Sequence, residues 1–296
     1  MAVSATACGG GGGGNPLSKS SGASHAPSGT VVVGSTNFPE QLLLANMYAE
    51  DLKAHGVKVQ TRLNLGSREV VFPSLKSGDL SVIPEYTGAL LGYLVKGKTK
   101  ATSQQQVLAD LKSNLPKGIV ALKPSPAQDK DALVVTRQTA QKYHLKTISD
   151  LKSVAPQMVV GGPPELKTRF IGLPGLKKVY GVQFKSFLSL DAGGPLTKNA
   201  LKKGDIQAAR LFTTDSSIAK NDWVALIDDK NLIPAQNILP VIRSDANNPT
   251  VTKVLNALSA KLTTDTVTKL NAKVEIDKQD ADTVAKQWLK QEGLMT

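Results

Sequence analysis

Val31-Val32-Val33-Gly34-Ser35-Thr36-Asn37-Phe38-Pro39-Glu40-Gln41 reads as a short apolar strand, a polar loop and the first turn of a helix. Pro39 suits the first helical position, where its missing N–H costs nothing, and Gly56 closes the helix after Ala54-His55. The pattern recurs twice before Lys96. Val57, Val59, Thr61 and Leu63 alternate as a second strand, and Gly66-Ser67-Arg68-Glu69 opens a second helix with Ser67 placed as its cap. Leu80-Ser81-Val82-Ile83 then leads through Pro84-Glu85-Tyr86-Thr87-Gly88 into a helix from Ala89 to Lys96. Strands alternating with helices predict an α/β fold with a parallel sheet and right-handed crossovers. The three polar loops therefore gather at the carboxyl ends of the strands, where open α/β sheets bind ligands.

The rest of the chain repeats this opening. Leu75-Lys76-Ser77-Gly78-Asp79-Leu80 returns as Leu201-Lys202-Lys203-Gly204-Asp205-Ile206, 126 residues later. Val31-Val32-Val33-Gly34 returns as Met158-Val159-Val160-Gly161, with Gly34 and Gly161 127 apart. Matching offsets predict two similar lobes, and 296 residues are enough for both. Ala132–Thr136 reads as a strand crossing into the second lobe after a Pro-rich polar stretch, 116–130. Gln236–Ile242 reads as the strand that returns, and amphipathic helices near Val251–Leu262, Thr266–Val274 and Ala281–Gln291 complete the first lobe. The expected division is a tether at 1–29, lobe one at 30–130 plus 238–296, and lobe two at 131–237. Two lobes joined by two crossing strands enclose a cleft that closes by hinge bending.

The motifs Gly34-Ser35-Thr36-Asn37-Phe38-Pro39-Glu40-Gln41, Leu63-Asn64-Leu65-Gly66-Ser67-Arg68-Glu69, Leu75-Lys76-Ser77-Gly78-Asp79 and Pro84-Glu85-Tyr86-Thr87-Gly88 resemble, in order and spacing, the substrate-binding proteins of osmoprotectant ABC transporters (glycine betaine, carnitine, choline). The likeness runs from about Thr30 to Leu294. It implies the type II periplasmic-binding fold, a monomer outside the membrane, and permease subunits as partners. In that family a quaternary ammonium sits in a cage of aromatic rings, whose faces attract a poorly hydrated cation. Tyr86 stands at a cage position, Phe212 stands before Thr213-Thr214-Asp215 where an aromatic is expected, and Gln41 keeps a polar position. Two positions depart. Asp131 replaces a Tyr at the first crossing, and Ala235-Gln236-Asn237 replaces Pro-Tyr at the second. Such a degenerate cage is similar to that of an actinobacterial branch of the family.

The expected ligand contacts are Asn37, Glu40, Gln41, Ser67, Arg68, Tyr86, Thr87, Asp131, Phe212, Thr213, Thr214, Gln236 and Asn237. Two ligand classes stay open: an osmoprotectant of the betaine and choline class, or a polyhydroxylated or aromatic molecule held by stacking and hydrogen bonds. The alternative to a site role for Arg68 is a simple pair with Glu69 on the helix surface, and for Arg169 a brace within lobe two.

Composition narrows the remaining classes. A net charge of +12 invites a nucleic-acid reading, but aromatics at 4% give no stacking platform for single strands, so no nucleic-acid partner is expected. One Cys excludes an internal disulfide framework and a Cys-based metal cluster. His25, His55 and His144 show no metal-ligand spacing, and neither Gly-x-Ser-x-Gly nor a phosphate-cradling Gly loop is present. No cofactor, metal or catalytic set is expected. The alternatives are a cell-envelope enzyme using Glu40 and Glu69 as acid and base, and a ligand-sensing domain without a transport role. Ala5-Thr6-Ala7-Cys8-Gly9, followed by the tract Gly9–Gly14, reads as a lipoprotein-type cleavage site and tether. No charged or long apolar segment precedes Cys8, so a lipid anchor there is conditional on a longer precursor. No run of about 18 apolar residues occurs, so no α-helical span is expected.

Overall fold

The computed structural model describes residues 29–295; Cys8 and the tether lie outside them. Lobe one opens with strand β1 (Val31–Gly34), helix α1 (Pro39–Ala54), β2 (Val59–Arg62), α2 (Arg68–Ser77), β3 (Val82–Tyr86), α3 (Thr87–Leu94), α4 (Gln104–Asn114) and β4 (Ile119–Ala121). The chain then crosses into lobe two with β5 (Asp131–Val135), α5 (Arg137–Tyr143), β6 (Val159–Gly162), β7 (Ser186–Ser189), β8 (Ala208–Phe212) and β9 (Val224–Ala225). It returns through β10 (Ile238–Arg243) to the helices Pro249–Lys261, Thr264–Glu275 and Ala281–Gln291.

The two sheets follow one plan. Their orders are β2-β1-β3-β10-β4 and β7-β6-β8-β5-β9. In each the first three strands are parallel, as the alternating pattern predicts. The fourth runs antiparallel to its neighbours, so the sheets are mixed. The reason is topological: β5 and β10 each arrive from the other lobe and enter the sheet against its direction. The Pro-rich stretch, expected as a loop, also holds β4, three residues long and therefore beneath the reach of periodicity.

Packing accounts for the sequence repeat. A Cβ on Gly34 would lie 2.5 Å from Leu80 Cδ1, and one on Gly161 would lie 2.6 Å from Ile206 Cδ1. Each glycine ends its strand under the apolar side chain that follows the Gly-Asp turn. Gly78 and Gly204 end their helices with φ of 97° and 83°, the left-handed conformation glycine adopts without a Cβ penalty.

Helix α1 is buried on almost every face, its apolar residues together with Glu40, Gln41, Glu50 and Asp51. The three C-terminal helices cover it, placing Val254, Leu258, Val284 and Trp288 in its core. Pro39 takes the first turn as expected. Ser67 sits at the cap position of α2, but its hydroxyl makes no cap bond and donates to Glu69 (2.7 Å). The two crossings also bond to each other. Asp129 N–H donates to the Gln236 carbonyl (3.0 Å) and Ile238 N–H to that of Ala127 (3.1 Å), a short antiparallel ribbon between the lobes.

Candidate functional site

The strand ends and loops of both lobes meet at a narrow cavity of about 40 Å³. Lobe one supplies Asn37, Phe38 and Gln41 from the start of α1, Ser67 and Arg68 from the start of α2, and Glu85 and Tyr86 from the end of β3. Lobe two supplies Arg210 and Phe212 from β8, with Glu165 and Arg169 from the loop after β6. The crossings add Asp129, Asp131 and Gln236.

Register sets the local geometry. Tyr86 lies opposite Ile238 and Phe212 opposite Asp131, so each lobe ends its third strand with an aromatic ring beside a crossing. Arg210 and Phe212 are two residues apart on β8 and share a face. Asp131 is therefore diagonal to Arg210, within reach of a long side chain. The two form a buried ion pair, and Gln236 Nε2 donates to the other Asp131 oxygen (2.9 Å). The Arg210 guanidinium also lies 4.2 Å from the centre of the Phe212 ring. Burial pulls Arg210 down to about 10, against the charge of Asp129, which leaves it a cation at neutral pH.

A third ring completes the group. Phe38 stacks on Phe212 at 4.7 Å and 12°, and lies 6.2 Å from Tyr86. Opposite, Arg68 donates to both Glu85 oxygens (2.6 and 2.7 Å), and both side chains are buried. Burial alone would lower the Arg68 pKa, but the Glu85 carboxylate outweighs it and raises it. The alternative surface pair of Arg68 with Glu69 is not formed. Arg68 turns inward to Glu85, and Glu69 receives a two-pronged bond from Arg169 of lobe two (3.0 and 2.7 Å). Arg169 thus links the lobes rather than bracing lobe two alone.

Of the residues singled out in the sequence, Asn37, Gln41, Ser67, Arg68, Tyr86, Asp131, Phe212 and Gln236 line the cavity. Glu40, Thr87, Thr214 and Asn237 are buried behind its wall, and Thr213 is exposed away from it. Glu40 accepts from Tyr86 Oη (2.7 Å), Thr214 Oγ1 (2.5 Å) and Asn271 Nδ2 (2.7 Å). Burial raises the Glu40 pKa against these bonds. Asp129 is raised too, by burial and by the charge of Glu40. Thr87 Oγ1 donates to the Ala235 carbonyl (3.1 Å) and accepts from Asn237 N–H (3.0 Å), fixing the second crossing. Thr213 Oγ1 accepts from Lys130 N–H (2.8 Å) beside the first. Sequence reasoning missed Phe38, Glu85, Asp129 and Arg210. Glu85 and Phe38 stand inside quoted motifs, while Arg210 is hidden in an apolar strand.

The model of the OpuAC family, the substrate binding domain of ABC-type glycine betaine transport system, matches residues 29–291. The chain belongs to this family. It is a substrate-binding domain of the ABC-type osmoprotectant transport class, with the two-lobed fold of that class. The glycine betaine-binding protein YehZ of Escherichia coli strain K12 is 28% identical over 278 residues, 89% of this chain and 90% of that one. The ergothioneine transport permease/ergothioneine binding protein EgtU of Helicobacter pylori strain G27 is 27% identical over 89% of this chain, which spans 48% of its length. A solved structure described as a glycine betaine/carnitine/choline ABC transporter superposes with a TM-score of 0.70 at 25% identity, covering 89% of this chain and 99% of that one. Substrate-binding proteins of ABC importers work outside the cytoplasm, and among the described residues no helix is long and apolar enough to cross a membrane.

The Glu69–Arg169 pair gives a pH expectation for this family member. Burial works against the Glu69 charge, but the bonds from Arg169 and Ser67 outweigh it and hold the carboxyl down to about 2, from 4.5. A lowered acid pKa favours the paired form above the unpaired value and releases it as protons bind. Lobe closure is therefore expected to be unchanged above about pH 5 and to weaken from about pH 4.5 towards pH 2. Glu69 keeps 40% of its side chain exposed, so the effect is about 0–1 kcal/mol. Small-angle scattering at pH 6 and pH 3.5 should show the acid expansion in the native protein and its loss in Glu69→Gln.

Proposed function

We propose that this protein is the extracytoplasmic solute-binding subunit of an ABC importer and that its ligand is a small quaternary-ammonium zwitterion of the betaine class. The observation that carries this reading is the convergence of three rings, Phe38, Tyr86 and Phe212, on one cleft with two buried guanidiniums. Glycine betaine, carnitine, choline and ergothioneine, named for the relatives, share a trimethylammonium group, the kind of cation that ring faces attract.

Arg210 suggests how such a ligand is admitted. Its guanidinium covers the Phe212 face, and the cavity has room for little more than a water or two. A ligand must therefore part the lobes and move Arg210. A zwitterion offers an exchange: its ammonium takes the ring face, and its carboxylate takes the displaced guanidinium, alone or with Arg68. Residues 30–130 with 238–296 form one moving body in this reading and 131–237 the other, hinged at the crossing ribbon. Closure presents both lobes to permease subunits. The protein acts as a monomer, and Cys8 carries the lipid anchor when a precursor supplies the signal.

Binding rather than turnover is supported by the two carboxylates that an acid and base pair would need: Glu69 is committed to Arg169, and Glu40 is buried behind Tyr86. Calorimetry tests the reading with glycine betaine, carnitine and choline beside ergothioneine, trehalose and phenolic glucosides. The zwitterions are expected to bind more tightly than choline, which lacks the carboxylate. Binding of the glucosides or trehalose alone would remove the quaternary-ammonium assignment and favour the hydrogen-bonding set Asn37, Gln41 and Gln236.

A further inference from the structure

A second and much larger hollow lies beside the cleft. It is a groove of about 1270 Å³, walled by α2, α3 and the loop to α4 in lobe one and by residues 168–179 and 230–234 in lobe two. The Glu69–Arg169 pair divides it from the cleft, and Ala89, Arg169 and Ile171 border both spaces. Its floor is apolar and aromatic: Tyr93 and, from lobe two, Phe170 and Pro174 offer partly exposed surface, with the buried Phe72 packed edge to face beneath Tyr93 at 5.6 Å and the buried Leu232 behind. Such a surface exceeds what a single scattered apolar side chain leaves exposed.

The rim has one sign of charge. Lys76, Lys96, Lys100 and Lys230 line the groove, and its only carboxylate among the described lining residues, Glu69, is already paired. The ammonium groups of Lys76, Lys96 and Lys100 make no ion pair among the described residues. Lys230 donates to the Val179 carbonyl (3.3 Å) and lies over the Tyr180 ring. Flexible stems of this kind lie along apolar surface and keep their charge at the water boundary. An apolar floor under a cationic rim is complementary to an amphipath of negative charge.

We propose that this groove is a second binding site, for a small soluble amphipathic anion carrying one sulfonate, sulfate or carboxylate on an aromatic or alkyl body. The groove's own lining selects the anion, whichever class of solute the cleft takes. Its body lies against Tyr93 and Phe170, and its acid group meets Lys96 and Lys100.

Gly92 allows a clean test. It stands within α3 on the groove wall, and a Cβ added there meets nothing within 4 Å. Gly92→Phe therefore projects a ring into the groove from a Cβ that meets no neighbour, at a helical position where replacing glycine is favourable. The probe is 8-anilinonaphthalene-1-sulfonate, followed by its fluorescence on the folded protein, with uncharged N-phenyl-1-naphthylamine as its partner. The expected result is one saturable site for the sulfonate and at least tenfold weaker binding of the uncharged compound. Gly92→Phe and Lys96→Gln/Lys100→Gln should each weaken it at least tenfold, with dodecanoate competing. Equal binding of both naphthalenes would overturn the proposal, as would sulfonate binding that survives Gly92→Phe and the lysine variant.

Discussion

Arg68→Leu is expected to lower the stability of the protein by about 3–5 kcal/mol, read as a fall in the urea midpoint. The Arg68–Glu85 pair is buried, with side chains 8% and 3% exposed, and it ties the start of α2 to the end of β3. Removing the guanidinium leaves the Glu85 carboxylate without its counter-charge. Its remaining donor here is the Tyr86 N–H, at 3.0 Å. Removing both charges together is a different experiment. Arg68→Leu/Glu85→Leu discards the cost of desolvating two ions along with their attraction, so most of the loss is expected to return. A double variant no more stable than the single one would mean that Arg68 acts through packing alone.

Phe212→Ala is expected to weaken glycine betaine binding by about 1–3 kcal/mol, a factor of about 5 to 150. Two losses combine. The ligand loses one ring face, and Phe38 loses the stacking partner that holds it at 4.7 Å, a contact of about 0.5–1.5 kcal/mol. Phe212→Leu separates the causes, since it keeps apolar bulk without a π face. Calorimetry on both variants should find leucine closer to alanine than to phenylalanine. If leucine binds as well as phenylalanine, the cleft grips its ligand by shape, and the cation–π account fails.

The fold was legible because it is written in periods. Strand alternation, the Gly-Asp turns and the matching offsets of Gly34 with Gly161 and of Leu80 with Ile206 are local signals, and packing uses the same residues for the same purpose. The cleft was only half legible. Tyr86 and Phe212 could be found since they end strands in recognisable motifs. Phe38 stands directly before Pro39 and reads as part of a helix start, and only the approach of lobe two gives its ring a partner. Arg210 is one polar residue in an apolar strand, and its bond to Asp131 depends on how β5 registers against β8, two strands separated by most of a lobe. Asp131 begins the crossing strand β5, and its charge is spent on Arg210. Arg68 and Glu69 part company for a simpler reason. Neighbours on a helix point about 100° apart, so one turned into the cleft and the other across it.

Tyr86 and Phe212 are 126 residues apart, the same spacing as the motifs Leu75–Leu80 and Leu201–Ile206. A ligand lying between them sits as it would at the seam of a symmetric dimer, touched by the same residue from each half. A symmetric seam cannot distinguish the head of its guest from the tail. The halves have drifted at the two positions just before the rings, Pro84 against Arg210 and Glu85 against Leu211. That drift gives the seam a direction, and with it the means to orient a zwitterion.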